Sequence, residues 1–185
     1  MKEHRVRVLE TTEINFEGKR CLIPVKVEIK GRVYETEMED EYLPISEIHE
    51  LDIEELEDLT FGEIPEFLRL HFEGSSIGWF KVERGYAWLE IDQRAKYYRG
   101  NVSIDNYFKL LRLFAIKSKF EVINFSGADR EDDYYFIEFG KEFPENITLK
   151  EAFQEFENVV KKVSDIVEIL DSLIEKTIVV LEHTS

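Results

Sequence analysis

The sequence predicts an α+β fold: an antiparallel or mixed sheet of hairpins, with a middle helix and a long C-terminal helix packed on one face. Three observations carry that expectation. Apolar and polar residues alternate along the N-terminal part of the chain. Glycines punctuate the alternation where tight turns are needed. From Phe153 onward the apolar spacing changes from twos to alternating threes and fours.

Taken in order, His4 to Leu9 alternates, and Ile23, Val25, Val27 and Ile29 form a period-two stripe. Turns at Glu17-Gly18-Lys19 and Lys30-Gly31-Arg32 then give a three-stranded meander ending in Val33 to Met38. Pro24 has no backbone N–H to donate, so its strand lies at an edge or carries a bulge. In Pro44 to Leu59, Ile45, Ile48, Leu56 and Leu59 suggest one or two short helices. Phe67 to Phe72 reads as a strand and Gly74 to Gly78 as a loop. Trp79 to Glu83 and Tyr86 to Asp92 form a hairpin around Arg84-Gly85. Asn101 or Ser103 caps a helix from about Ile104 to Ile116, followed by strands Phe120 to Phe125 and Tyr134 to Phe139.

The last helix starts at a capping box, Thr148 with Glu151. Its seam runs through Phe153, Phe156, Val160, Val163, Val167, Leu170, Ile174 and Leu181, with a further stripe at Val159, Ile166, Leu173 and Val180. The β-branched run Thr177 to Val180 predicts that the helix stops near Lys176, with a strand or a frayed end beyond it. The expected organisation is a single domain, 1–185, containing a strongly acidic segment, 33–68.

Charge is the least even feature of the chain. Between Val33 and Leu68 there are 14 Asp and Glu and no Lys or Arg; elsewhere the other 26 acidic residues meet 24 basic ones, so nearly all of the net charge of −16 sits in one segment. The high charge content, with Gln only at 93 and 154, resembles the composition of thermophile proteins. No apolar run reaches the roughly 20 residues of a membrane span, and the first residues lack a signal peptide's apolar core, so a cytoplasmic protein with no membrane partner is expected. Cys21 is the only cysteine, which excludes an internal disulfide and a thiolate metal cluster.

Searches for catalytic constellations return little. His4, His49, His71 and His183 are far apart in sequence with no helical pairing, so no metal site, catalytic residue or cofactor is expected. Glu28-Ile29-Lys30 has the spacing of a metal-dependent nuclease strand, and Glu90 with Asp92 share a strand face, but alternating charge on a wet face explains both.

Two surfaces remain as candidates. Glu47, Glu50, Asp52, Glu54, Glu55, Glu57 and Asp58 form an acidic surface suited to a basic protein partner. Trp79, Lys81, Arg84, Tyr86, Trp88, Arg94 and Lys96 interleave rings and cations, as single-stranded nucleic acid binding requires, although the net charge opposes a polyanion. The leading expectation is therefore a non-enzymatic protein-interaction module and a homo-oligomer, such as a homodimer, in which the acidic segment meets a basic surface on a partner or a second copy; the concentrated charge and the wide apolar face of the final helix motivate it. A nucleic-acid mimic or single-stranded nucleic-acid binder is the first alternative, and a metal-dependent hydrolase using Glu28, Lys30 or the Glu90 and Asp92 pair is the second.

Overall fold

The computed structural model describes residues 5–38, 43–94, 109, 112–113, 115–127 and 134–184. A three-stranded antiparallel sheet, β1 (Val6–Phe16), β2 (Lys19–Ile29) and β3 (Arg32–Glu35), opens the chain. Its turns hold Glu17 and Gly18 at φ 49° and 76°, and Lys30 and Gly31 at φ 48° and 84°. That left-handed pair is what a two-residue hairpin between twisted strands needs.

Pro24 lies in the central strand β2, so of the two expected alternatives it is the bulge-like irregularity, beside Val25, and not the edge position that is found. Pro24 is accommodated because the register slips between Val8 and Thr11 on β1, and because β3 pairs only as far as Lys26. Beyond β3, Thr36 takes over, its N–H donating to Val25 O (3.1 Å) and its hydroxyl to Pro24 O (2.8 Å).

The second sheet has six strands in the order β4-β5-β6-β7-β9-β8: β4 (Ser46–Ile48), β5 (Leu68–Ser75), β6 (Gly78–Glu83), β7 (Tyr86–Arg94), β8 (Glu121–Gly127) and β9 (Tyr134–Glu142). It is mixed, since β4 runs parallel to β5 while β5–β6 and β8–β9 are antiparallel. The region read as helical, 44–59, contains β4 and only a four-residue helix, α1 (Ile53–Leu56), capped by Asp52. Backbone partners decide this. Ser46 N donates to Phe67 O (2.9 Å) and Glu47 N to Glu37 O (2.7 Å), bonds that helical spacing of Ile45 and Ile48 cannot foresee.

Two further boundaries differ from expectation. The loop at Gly74–Gly78 shrinks to a turn, because β5 continues to Ser75 and β6 begins at Gly78. The C-terminal helix α2 (Leu149–Thr184) does not stop near Lys176. β-branched residues cost at most about 0.7 kcal/mol each in a helix, less than abandoning its hydrogen bonds. The start of α2 is the predicted capping box, with Thr148 N donating to Glu151 Oε2 (2.8 Å) and Glu151 N to Thr148 Oγ1 (3.2 Å). The predicted middle helix falls largely outside the described residues, which include helical positions 115–117.

The chain divides into two compact units, residues 1–88 with 142–154, and residues 89–141 with 155–185. In the first, Leu68, Leu70 and Phe72 of β5 and Phe80 and Val82 of β6 are buried together with Leu149 and Ala152 of α2, and Phe153 meets the Phe80 ring edge-on at 5.4 Å. In the second, Phe120 and Phe156 pack edge-on at 5.0 Å among buried Leu89, Ile137, Phe139, Val159 and Val163. No helix among the described residues is long and apolar enough to cross a membrane.

Candidate metal centre

Strand alternation on β5 sends Leu68, Leu70 and Phe72 into the core and therefore turns Arg69, His71 and Glu73 to the opposite face. The register carries the same face onto both neighbours. Glu47 of β4 pairs with Arg69, and His71 pairs with Lys81 of β6. Beyond Ile48 the pairing persists through Leu51 N, which donates to His71 O (3.1 Å), so His49 is carried alongside His71. Glu50 makes that approach possible by adopting φ 59°, a left-handed conformation uncommon for a residue with a side chain.

The outcome is a cluster of Glu47, His49 and His71 whose ligand atoms lie within 4.8 Å of one another. The imidazole rings of His49 and His71 have centroids 4.3 Å apart and planes inclined by 38°. His49 Nε2 stands 3.3 Å from Glu47 Oε2, and His71 Nε2 stands 3.1 Å from Glu47 Oε1 but off hydrogen-bond geometry. Donors held about 2.0–2.1 Å from a tetrahedral ion are themselves about 3.3–3.4 Å apart. The two imidazole nitrogens stand at spacings close to that edge length from Glu47, each from a different oxygen of the carboxylate.

A second ring of contacts fixes these groups. Glu47 is fully buried, and Arg69 Nη1 donates to its Oε1 at 2.8 Å. Arg69 is in turn held by Glu83, with Nε to Oε1 at 2.9 Å, and its guanidinium lies 4.7 Å from the centre of the Trp88 ring. His49 Nδ1 faces Glu73 Oε1 at 3.3 Å. A carboxylate behind the far nitrogen of an imidazole is the usual outer partner of a metal-bound histidine. Burial pushes His71 below the ordinary imidazole range; His49 and Lys81 add to the effect, while Glu47 opposes it. The neutral ring that results is the ligand form.

An open cleft of about 450 Å³ reaches the cluster, lined by Tyr34, Glu35, Glu37, Glu47, His49, Glu50 and Glu73. Among the described residues this is where titratable groups of different kinds converge on one point.

The residues singled out from the sequence are distributed otherwise. Glu47 is buried and belongs to the cluster, so it is no part of an acidic surface. Asp58 pairs with Arg5 (2.6 Å) and Lys30 (2.5 Å), Glu55 with Arg32 (3.3 Å) and Glu57 with Lys150 (3.0 Å). Glu50, Asp52 and Glu54 are exposed, Asp52 accepting from Glu54 N as a helix cap. Of the aromatic and basic stretch, Trp79 is 58% exposed, Lys81 and Tyr86 are half-buried, Arg84 pairs with Glu145 (3.1 Å), and Trp88 is buried beneath Arg69. Arg94 closes β7, and Lys96 lies outside the described residues. Glu28 is bonded to Arg7 within the meander and Lys30 to Asp58 of the acidic segment, so the Glu28-x-Lys30 pair is taken up in separate ion pairs. Glu90 is half-buried, and the side chain of Asp92 lies outside the described set.

Sequence reasoning missed His49, His71 and Arg69. The available signal was the strict alternation of Arg69, His71 and Glu73 against Leu68, Leu70 and Phe72, together with Glu47-x-His49; what joins the two segments is a parallel pairing that neither one announces. Compared with protein families, with curated proteins and with solved structures, the chain matches none.

Proposed function

We propose that this protein binds a divalent transition-metal ion of the zinc class through Glu47, His49 and His71. The observation that carries the reading is the convergence of two imidazole nitrogens and a buried carboxylate within 4.8 Å. Two imidazoles with one carboxylate suit zinc, copper, nickel or iron and not magnesium or calcium, which favour all-oxygen shells. Arg69 and Glu73 would act as the outer partners, one orienting the carboxylate and the other the His49 ring. The competing arrangement is a metal-free network in which His49 lies between Glu47 and Glu73.

Calorimetric titration of metal-stripped protein separates the two. The metal reading expects one equivalent of Zn²⁺ bound, little response to Mg²⁺, and loss of binding in His49→Ala and His71→Ala with Glu28→Ala unchanged. No Zn²⁺ uptake, or uptake indifferent to both histidine variants, overturns it.

The cleft favours a second reading, a metal-dependent hydrolase in which three protein ligands leave a position for water. Cobalt substitution tests this directly. A visible spectrum that shifts on adding azide marks an exchangeable position, whereas a spectrum indifferent to added ligands marks a closed, structural ion.

A further inference from the structure

We propose, resting on the hydrolase reading of the Glu47, His49 and His71 centre, that Glu37 is the general base of the site and that its substrates are neutral or cationic esters or amides. The backbone places Glu37. Its N–H donates to Glu47 O (2.9 Å), and Glu47 N donates in return to Glu37 O (2.7 Å). Antiparallel residues that exchange both bonds stand directly opposite each other, about 5.5 Å apart at Cα, with their side chains on one face. The preceding residue, Thr36, turns the other way and donates its hydroxyl to Pro24 O (2.8 Å). The Glu37 carboxylate therefore shares the face of Glu47, and both line the open cleft with His49.

Glu37 is outside the group whose ligand atoms lie within 4.8 Å of one another, so it stands beside the donor set and not in it. A base for an ion's water belongs in that place, near the open position without filling it. The other cleft carboxylates are placed differently. Glu73 stands behind His49 Nδ1 at 3.3 Å, Glu35 pairs in register with Lys26, and Glu50 lies past His49 on the left-handed bend. Glu37 is exposed and forms no ion pair among the described residues, which leaves its carboxylate open to a proton. Glu37 takes one proton from the water at the open position as the water oxygen bonds to the acyl carbon. The same proton then passes to the leaving amine or alkoxide as the acyl C–N or C–O bond breaks, and Glu37 is a carboxylate again. Charge selects the substrate: the described cleft lining holds five glutamates and no Lys or Arg, so a phosphate ester meets like charge and a neutral or cationic acyl compound does not.

The pH midpoint of the visible spectrum of the cobalt-loaded full chain reads the ionisation of water at the open position. A neighbouring carboxylate opposes that ionisation, so Glu37→Gln should lower the midpoint by about half a pH unit or more, and Glu35→Gln should move it less. Calorimetry on Glu37→Gln should still find one equivalent of Zn²⁺, with an affinity within about threefold of wild type. The zinc-loaded chain should hydrolyse p-nitrophenyl acetate and not p-nitrophenyl phosphate. Glu37→Gln should cut kcat about a hundredfold at unchanged KM, and formate should restore part of the rate lost in Glu37→Ala. An unmoved cobalt midpoint, no turnover of the acetate, preference for the phosphate, or loss of Zn²⁺ in Glu37→Gln, which would make Glu37 a ligand, overturns the proposal and leaves the metal centre standing. A wild type that takes up no Zn²⁺, or a cobalt spectrum indifferent to azide, instead overturns the reading beneath it, and the base with it.

Discussion

His49 and His71 stand ring against ring, 4.3 Å apart, because a three-residue parallel strand lays the end of one loop beside the middle of a long hairpin strand. Neither histidine makes a site alone. Glu47 joins them from below, fully buried, and Arg69 holds that carboxylate in place. Buried charge is costly unless paired and bonded, and here the pairing also fixes the angle at which Glu47 meets both rings.

Removing Arg69 should therefore unfold more than it frees. Arg69→Ala leaves Glu47 buried without its guanidinium, and the expected loss is about 3 kcal/mol of unfolding free energy. Saturating Zn²⁺ should recover part of it, because the ion supplies the missing positive charge. Urea denaturation with and without the metal checks both statements; an equal loss in both conditions contradicts the second.

Metal binding should appear as thermal stability. At a free Zn²⁺ concentration of about 100 times Kd, linkage adds about 2.7 kcal/mol, or a rise in melting temperature of roughly 5–10 °C for a chain of this size. EDTA should abolish the rise, and His71→Ala should show none. A scanning calorimeter is sufficient.

Acid should loosen the join between the meander and the acidic segment. Lys30, with Arg5, holds Asp58 below the usual carboxylate range; burial alone would raise Glu63, but Arg5 and Thr60 outweigh it and Glu63 is lowered too. Groups whose folded pKa is depressed contribute stability above the ordinary carboxylate range and lose it as pH falls through the folded value. Arg5→Ala should thus cost stability at pH 7, and the cost should shrink steadily on acidification below about pH 5. A difference between wild type and Arg5→Ala that stays constant down to pH 3 contradicts the assignment.

Glu50 tests whether the bend beside the site is strained. Its φ of 59° costs a side-chain-bearing residue on the order of 1 kcal/mol that glycine does not pay. Because glycine also adds freedom to the unfolded chain, which offsets part of that relief, Glu50→Gly should raise unfolding free energy by no more than about 0.5 kcal/mol and leave zinc stoichiometry at one, since Glu50 supplies no ligand. Chemical denaturation and titration of the same preparation read both quantities.

Much of the fold was legible in the sequence. Turn glycines at 18 and 31 announced the meander, Arg84-Gly85 announced a hairpin, and Thr148 with Glu151 fixed the start of the last helix, because each is a local device whose partners lie within a few residues. The site was not legible, for the opposite reason. Glu47 and His49 lie in an acidic stretch whose Ile45 and Ile48 mimic helical spacing, and the bonds that make it a strand come from Phe67 and Glu37. The acidic segment also looked like a solvated surface, whereas Arg5, Lys30, Arg32 and Lys150, all outside it, tie Asp58, Glu55 and Glu57 into the protein.

X-ray absorption at the zinc edge of the metal-loaded protein tests the central claim most directly. A centre built from His49, His71 and Glu47 predicts two imidazole scatterers and oxygen at about 2.0–2.1 Å with no sulfur. A sulfur shell near 2.3 Å, which would point to Cys21, or an oxygen-only shell without imidazole scattering, would contradict it.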